Sequence, residues 1–214
     1  MSGRVPRTDM TASTDTVSTD TTTPTVLLIG DSIRVGYQDQ VAALLDGHAT
    51  VRSDNVAAGN TDYFLEHLDE WLERHRPHVV HANAGLHDIR RSLASGELLV
   101  PPERYRSNLT NLAQQVAAAG ARLILATTTP VDEEKHTKCH LEIGDFLRRA
   151  DEVASYNDML RVVAANAGAP VDDLHAVAVD GGGAIQTEDG CHFTDEGCRL
   201  LADAVAAAVR AVLA

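Results

Sequence analysis

Short apolar runs alternate with longer amphipathic segments from Thr25 to the end of the chain, and this alternation restricts the fold more than any other feature. Runs with the length and composition of buried strands lie at residues 25–29, 50–56, 78–82, 122–126 and 171–174. Apolar side chains recur at helical spacing in residues 34–45, 61–76, 102–119, 146–167 and 195–213. Repeated strand–helix pairs require crossover connections, which place parallel strands in one sheet with helices on both faces. We therefore predict an α/β fold, a three-layer α/β/α sandwich around a five-stranded parallel sheet.

Residues 1–24 differ in composition from the rest of the 214-residue chain. They are rich in Ser and Thr and carry almost no large apolar side chain, so ordering them would bury too little surface to offset the lost chain entropy. We predict a disordered tail over residues 1–24 and a single domain over residues 25–214. A domain of this length builds its hydrophobic core without help from a disulfide or a structural metal.

The charge balance restricts the partners of the chain. Lys and Arg number 18 against 31 Asp and Glu, which gives a net charge of −13. A basic surface for nucleic acid or for an anionic membrane is therefore not expected, and no apolar run approaches the length of a membrane span. Three cysteines at irregular spacing do not make a disulfide framework, so we expect a reducing, cytoplasmic setting. The expected partner is a small molecule, and the sequence leaves the oligomeric state open.

The residues that follow the predicted strands are the candidates for a site, because ligands of open parallel sheets bind outside the carboxyl ends of the strands. Gly30-Asp31-Ser32 follows the first strand and Gly59 follows the second. Asn83 and the segment Gly85-Leu86-His87-Asp88 follow the third. Each segment by itself is explained as an ordinary turn or helix cap. Their joint placement at the ends of successive strands favours a functional site.

A serine nucleophile and a histidine base are the chemistry that two of the segments suggest. Ser32 lies at the start of the helix after the first strand, where a free N–H and the helix dipole stabilise negative charge. Asp189 precedes His192 by three residues in a loop ahead of the last helix. Its carboxylate can accept the imidazole Nδ1–H and leave Nε2 free as a base. Taken alone, a helix-capping serine and a surface Asp–His pair are the simpler interpretations.

Taken together, these residues resemble the GDSL, or SGNH, hydrolase family of esterases and lipases over nearly all of the chain after the predicted tail. Gly30-Asp31-Ser32 is similar to the nucleophile block, Gly59 to the second block, and Asp189-x-x-His192 to the last block. Further positions that are similar to the family are Thr127-Thr-Thr-Pro130 and Tyr156-Asn157. The resemblance implies a flavodoxin-like fold and a triad of Ser32, His192 and Asp189. It also implies that the backbone N–H groups of Ser32 and Gly59 bind the oxyanion.

The third block departs from the family pattern. The family has Gly-x-Asn-Asp, with the Asn side chain as an oxyanion donor, whereas this chain has Gly85-Leu86-His87-Asp88. A neutral imidazole still has one N–H, so we expect His87 to replace that donor. Asn83 is the alternative amide donor. With Arg90, it is also a candidate for contact with the substrate.

The resemblance implies a serine esterase that cleaves short acyl esters through an acyl-enzyme, without a metal or cofactor. An O-acetyl ester on a carbohydrate is the substrate that we favour. A thioesterase or lysophospholipase of the same fold is an alternative, as is a family member that binds an acylated ligand without cleaving it. His136, Cys139 and His140 supply at most half of a zinc site. We interpret residues 131–146 as a polar insertion after the fourth strand and leave its role open.

Overall fold

A computed structural model describes residues 23–54, 57 and 59–214 of the chain. The predicted tail therefore lies outside the described residues, apart from Thr23 and Pro24. The carbonyl of Pro24 accepts a hydrogen bond from the Thr50 amide at 2.8 Å.

The chain forms, in order, β1 (Thr25–Ile29), α1 (Ser32–Leu44), β2 (Thr50–Ser53), α2 (Thr61–His75), β3 (Val79–Asn83), β4 (Arg91–Ser92), α3 (Pro102–Ala118), β5 (Arg122–Ala126), α4 (Glu133–Ile143), β6 (Phe146–Leu147), α5 (Ala150–Ala167), β7 (Val171–Asp172), α6 (Leu174–Gly181), a 3₁₀ turn (Gly183–Ile185) and α7 (Asp195–Leu213). Strands β1, β2, β3, β5 and β7 make one parallel sheet in the order β2-β1-β3-β5-β7. Helices α1, α6 and α7 pack together against one face, and α2, α3 and α5 pack against the other. The predicted three-layer α/β/α fold with a five-stranded parallel sheet is confirmed.

The core explains why the strands contain continuous apolar runs. Val26, Leu27, Leu28 and Ile29 of β1 are all buried, because helices cover both faces of the sheet. On the helices, only one face is buried. In α2 this face consists of Thr61, Phe64, Leu68, Trp71 and Leu72, close to the spacing that the sequence predicts.

Two segments differ from the predicted elements. The helix predicted over residues 146–167 begins only at Ala150, since Phe146–Leu147 forms β6 and pairs antiparallel with β4. Helical spacing of apolar residues does not reveal that Phe146 and Leu147 have partners 54 and 56 residues earlier in the chain, Ser92 and Arg91. The predicted polar insertion contains helix α4, whose N-cap Asp132 accepts a hydrogen bond from the Lys135 amide at 3.1 Å.

Asp88 joins the loop after β3 to the first residue of α2. Its Oδ1 accepts hydrogen bonds from the Thr61 amide at 3.0 Å and from the Thr61 hydroxyl at 2.5 Å. The carboxyl is fully buried, and its Oδ2 has no donor among the described residues. Burial raises the pKa of Asp88 to about 7, although the hydrogen bonds from Thr61 oppose this rise. The contact holds the segment that carries His87 against the segment that carries Gly59.

Helix α4 packs directly on the loop that contains Asp189 and His192. The Asp132 amide donates to the Gly190 carbonyl at 2.9 Å. Gly190 has a φ of 69°, and a Cβ placed there would lie 2.5 Å from the Asp132 carbonyl oxygen and 2.8 Å from the His136 amide nitrogen. A residue without a side chain is therefore required, both for the left-handed conformation and for the close approach of α4.

We expect the stability of the wild-type protein to depend on the ionisation of Asp88. Because the folded-state pKa lies above that of an unfolded Asp, the protonated form favours folding, and this stabilisation is lost as the pH rises from about 4 to about 7. Between pH 5 and pH 8 the free energy of unfolding should fall by about 1–3 kcal/mol more for the wild type than for Asp88→Asn. Urea titrations at the two pH values measure this difference. The exposed Asp39→Asn change is the control, and parallel wild-type and Asp88→Asn curves would contradict the expectation.

We expect Gly190→Ala to destabilise the protein more than Gly182→Ala. Both glycines have positive φ, at 69° and 75°, but a Cβ at Gly182 would meet no atom within 4 Å. Gly182→Ala should therefore cost about 1–2 kcal/mol for the left-handed backbone alone. Gly190→Ala should cost about 1–3 kcal/mol more, because the loop or α4 has to move. Urea denaturation measures the free energy of unfolding of each variant. Equal losses for the two variants would show that α4 moves away at no cost and would contradict the expectation.

Candidate active site

The carboxyl ends of three adjacent strands bring the predicted site residues together. Ser32 is the first residue of α1 after β1, and Gly59 lies between β2 and α2. Asn83 is the last residue of β3, and His87 follows it in the next loop. Because β1 lies between β2 and β3 in a parallel sheet, the three segments meet at one edge. This is the edge at which the sequence predicts the site.

A continuous chain of hydrogen bonds joins Ser32, His192 and Asp189. The Ser32 Oγ lies 2.8 Å from the His192 Nε2, although the two residues are 160 positions apart. The His192 Nδ1 lies 2.5 Å from the Asp189 Oδ2. The imidazole side chain is 46% exposed, so a substrate can reach its Nε2 side. The arrangement is that of a nucleophile, a base and a carboxylate that orients the base.

Asp189 is held by hydrogen bonds from its own loop. Its Oδ1 accepts from the Thr187 hydroxyl at 2.6 Å and from the Cys191 and His192 amides at 2.9 Å each. Partial burial raises the pKa of Asp189, but the hydrogen bonds from Thr187 and His192 outweigh that effect and hold it well below the usual range. The carboxylate therefore stays ionised and accepts the Nδ1–H of His192.

Two backbone amides at this edge are available for an oxyanion. The N–H groups of Ser32 and Gly59 donate to no protein acceptor among residues 23–54, 57 and 59–214. Asp31 caps α1 and bonds the Ile33 amide at 2.9 Å, which leaves the Ser32 amide free. A Cβ at Gly59 would lie 2.3 Å from a ring carbon of Phe64, so the close packing at this amide requires a glycine.

The His87 imidazole is neutral over the physiological pH range. Burial lowers the pKa of His87 to about 3, and the nearby charges of Arg148, Arg90 and His192 lower it further. A neutral imidazole provides a single N–H donor, as the sequence-based interpretation requires.

Asn83 is buried at the end of β3, with 3% of its surface exposed. Its Nδ2 has no acceptor among the described residues. A buried amide nitrogen without a partner is rare, because its desolvation is not compensated. This unsatisfied donor makes Asn83 a second candidate to bind a ligand oxygen.

Residues after β5 and in α5 that are similar to the family hold the loop after β3 in place. The Thr128 hydroxyl donates to the Ala84 carbonyl at 2.7 Å. Asn157 of α5 bonds the Thr128 backbone twice, accepting from its amide at 2.7 Å and donating to its carbonyl at 2.9 Å. These bonds fasten the loop after β3 to the end of β5 and to α5.

Sequence reasoning missed Arg148 and Phe146 at this site. The Arg148 Nε donates to the Leu86 carbonyl at 2.6 Å, next to His87. Its guanidinium carbon lies 4.8 Å from the centre of the Phe146 ring, and that of Arg90 lies 3.6 Å from the same centre. Arg148 and Phe146 fall within the amphipathic helix predicted over residues 146–167 and belong to no motif, so no local sequence signal marks them.

Asp31 and Cys191 flank the proposed nucleophile and base. Burial raises the pKa of Asp31 to about 6 and the pKa of the Cys191 thiol to about 12. Asp31 serves as the helix cap described above. A protonated, buried thiol is a poor nucleophile, which agrees with a structural role for Cys191.

The structure of α4 gives His136 and His140 a packing role. Their rings lie 4.0 Å apart between centres, and the His140 ring lies 5.0 Å from that of Phe146. Within the described residues, no group of three or more His, Cys, Asp or Glu side chains is placed to hold a metal ion. In the same part of the chain, no helix combines the length and apolarity needed to cross a membrane.

Comparison with solved structures finds the same fold in several ester hydrolases. The lipase/acylhydrolase of Enterococcus faecalis matches with a TM-score of 0.74 at 21% identity, over 88% of this chain and 96% of that one. A variant of the acetyl xylan esterase Axe2 of Geobacillus stearothermophilus matches at 0.71 and 18%, over 87% and 94%. The esterase EstA of Pseudoalteromonas matches at 0.68 and 17%, over 89% and 98%.

Comparison at the level of sequence gives the family. A search of curated proteins found no match. The model of the GDSL-like lipase/acylhydrolase family matches residues 28–200, a span that contains Ser32, Gly59, Asp189 and His192. Since this match covers most of the chain, the protein belongs to the GDSL-like lipase/acylhydrolase family and is a carboxylic ester hydrolase.

Proposed function

We propose that the protein hydrolyses short-chain O-acyl esters, with acetyl as the acyl group and a carbohydrate hydroxyl as the alcohol. The observation that carries this proposal is the unbroken hydrogen-bonded series from Ser32 through His192 to Asp189. Support for the substrate comes from two structural neighbours, both of them acetyl xylan esterases.

In the first half of the reaction, Ser32 attacks the ester carbonyl. His192 Nε2 takes the hydroxyl proton, and Asp189 stabilises the imidazolium that forms. The tetrahedral oxygen receives hydrogen bonds from the Ser32 and Gly59 amides and from His87. Collapse of the intermediate expels the alcohol, to which His192 returns the proton, and leaves acetyl-Ser32.

In the second half, water attacks the acyl-enzyme. His192 again removes a proton, and the same donors bind the new oxyanion. The half-exposed imidazole lets water approach its Nε2 without a change of conformation. Collapse of this second intermediate breaks the bond to the Ser32 Oγ, to which His192 returns the proton, and the products are acetate and the free serine.

We expect Ser32→Ala to lower kcat for p-nitrophenyl acetate by roughly 10⁴-fold or more, because the nucleophile is lost. His192→Ala should have a similar effect, and the double variant should be little worse, since the triad acts as a unit. Ser95→Ala is the matched control, because Ser95 is exposed in a surface turn. Retention of more than about a tenth of wild-type kcat by folded Ser32→Ala would overturn the proposed nucleophile.

The same preparation separates the substrate classes. We compare the cleavage rates of p-nitrophenyl esters of increasing acyl chain length and of an acyl thioester. The acetate ester should be cleaved fastest. A maximum at long chains would indicate a lysophospholipase, and a preference for the thioester would indicate a thioesterase. Binding of acetylated xylo-oligosaccharides without release of acetate would indicate a non-catalytic protein.

We expect His87→Ala to lower kcat by about 10²–10³-fold with little change in KM, because an oxyanion donor acts mainly in the transition state. His87→Asn should recover part of the loss, since an amide also donates. The low pKa of His87 keeps its ring neutral above about pH 4, so the ratio of wild-type to His87→Asn rates should not change between pH 5 and pH 9. If His87→Ala raises KM only and Asn83→Ala lowers kcat instead, Asn83 is the donor.

A further inference from the structure

Two arginines lie at the end of a short antiparallel ribbon next to the proposed active site. In the ribbon, Arg91 of β4 pairs with Leu147 of β6. One position beyond this last pair, the register aligns Arg90 with Arg148. Their like charges repel each other, and the charge of Arg148 lowers the pKa of Arg90, after the larger effect of burial.

The two guanidinium groups share one aromatic ring. The guanidinium carbon of Arg90 lies 3.6 Å from the centre of the Phe146 ring, and that of Arg148 lies 4.8 Å from it. Phe146 thus holds both side chains in fixed positions through cation–π contact.

Among the described residues, Arg148 is a buried cation without a carboxylate partner. Only 6% of its surface is exposed, and its single hydrogen bond among the described residues runs from Nε to the Leu86 carbonyl. No carboxylate of the described residues lies within ion-pair distance of it, whereas neighbouring Arg91 is paired with Glu152. Among the described residues, the ion-pair partner of Arg90 is the exposed carboxylate of Asp145 alone, at 3.7 Å. A buried charge is normally paired, so the terminal nitrogens of Arg148 suit an anion from outside the chain.

The hydrogen bond from its Nε to the Leu86 carbonyl places the Arg148 guanidinium beside the segment that carries His87. Its charge lowers the pKa of Asp31, next to the proposed nucleophile, and the pKa of Cys191, next to the proposed base. It also lowers the pKa of His87.

We infer that Arg148 and Arg90 form an anion-binding subsite beside the triad, which selects acetyl esters whose alcohol group carries a carboxylate or a phosphate. The inference rests on the proposed esterase function. A chain with a net charge of −13 repels anions in general, so a preference for an anionic ester requires a local cationic site of this kind. A guanidinium binds either anion through two parallel N–H···O bonds.

The test compares matched esters within each protein variant. The substrates are 3-acetoxypropanoate and 4-acetoxybutanoate with their neutral amides, and 2-acetoxyethyl phosphate with its neutral dimethyl phosphate triester, all with the same acetyl group. The measured quantity is the ratio of kcat/KM for an anionic ester to kcat/KM for its neutral counterpart. Damage to the catalytic residues lowers both terms and cancels in the ratio, so only recognition of the anion changes it. The carboxylate and phosphate arms show which anion is preferred.

We expect the wild-type ratio to favour the anionic ester by about tenfold or more. This is the factor that the binding free energy of one charge-assisted hydrogen bond gives. Arg148→Met should lower the ratio by about 10–100-fold, and Arg90→Met should lower it by less. Arg148→Lys should keep part of the preference, since a lysine keeps the positive charge but lacks the two parallel N–H donors of a guanidinium. The control is Arg149→Met, which removes the same charge from the adjacent, exposed side chain and should leave the ratio unchanged.

A wild-type ratio near one, or an unchanged ratio in Arg148→Met, would overturn the subsite and leave Arg148 as a tether for the Leu86 carbonyl. If no ester shows Ser32-dependent cleavage, the proposed function fails instead. The subsite is then tested by ligand-detected NMR of 3-acetoxypropanoate and its amide on Ser32→Ala protein. Binding of the carboxylate alone, lost when Arg148→Met is added, upholds the subsite, and equal or absent binding of both overturns it.

Discussion

The carboxylate of Asp189 holds the geometry on which the rest of the site depends. One of its oxygens closes the loop on itself by accepting hydrogen bonds from Thr187 and from two backbone amides, and the other meets the imidazole of His192. Both rotation of the ring and choice of tautomer are restricted, because Nδ1 has to donate to Asp189. Without this closed loop, His192 would be a half-exposed side chain with no fixed relation to Ser32.

The loop in turn depends on packing that comes from elsewhere in the chain. Helix α4 approaches the backbone at Gly190 so closely that no side chain fits between them. On the opposite side of the site, Asp88 ties the His87 segment to the start of α2, and Thr128 ties the segment before it to β5. The segments that carry Asp189 and His87 are therefore each held by contacts outside the proposed site, which is how preorganised groups keep their geometry.

The electrostatics of the site are set by burial more than by formal charge. Asp31 and His87 are both shifted toward their neutral forms, while Asp189 remains an anion because its loop donates hydrogen bonds to it. Arg148 adds a buried positive charge next to the Leu86 carbonyl. The proposed site thus combines this cation with neutral hydrogen-bond donors, an environment suited to an oxyanion and to an anionic substrate.

Much of the fold and of the proposed site could be predicted from the sequence because their signals are local. A buried parallel strand needs an apolar run, Asp189 reaches His192 within three residues, and Ser32 lies directly after a strand. The order of the strands around β1 then brings the segments of Ser32, Gly59 and His87 to one edge. The tertiary structure alone decided the roles of residues whose partners are distant. Phe146 and Leu147 form a strand only because β4 is available to pair with them, and the Phe146 ring then lies against the guanidinium groups of Arg90 and Arg148. No local pattern encodes that contact, since each arginine by itself is typical of a solvated helix end. The role that we propose for Arg148 follows from burial that only the folded chain provides.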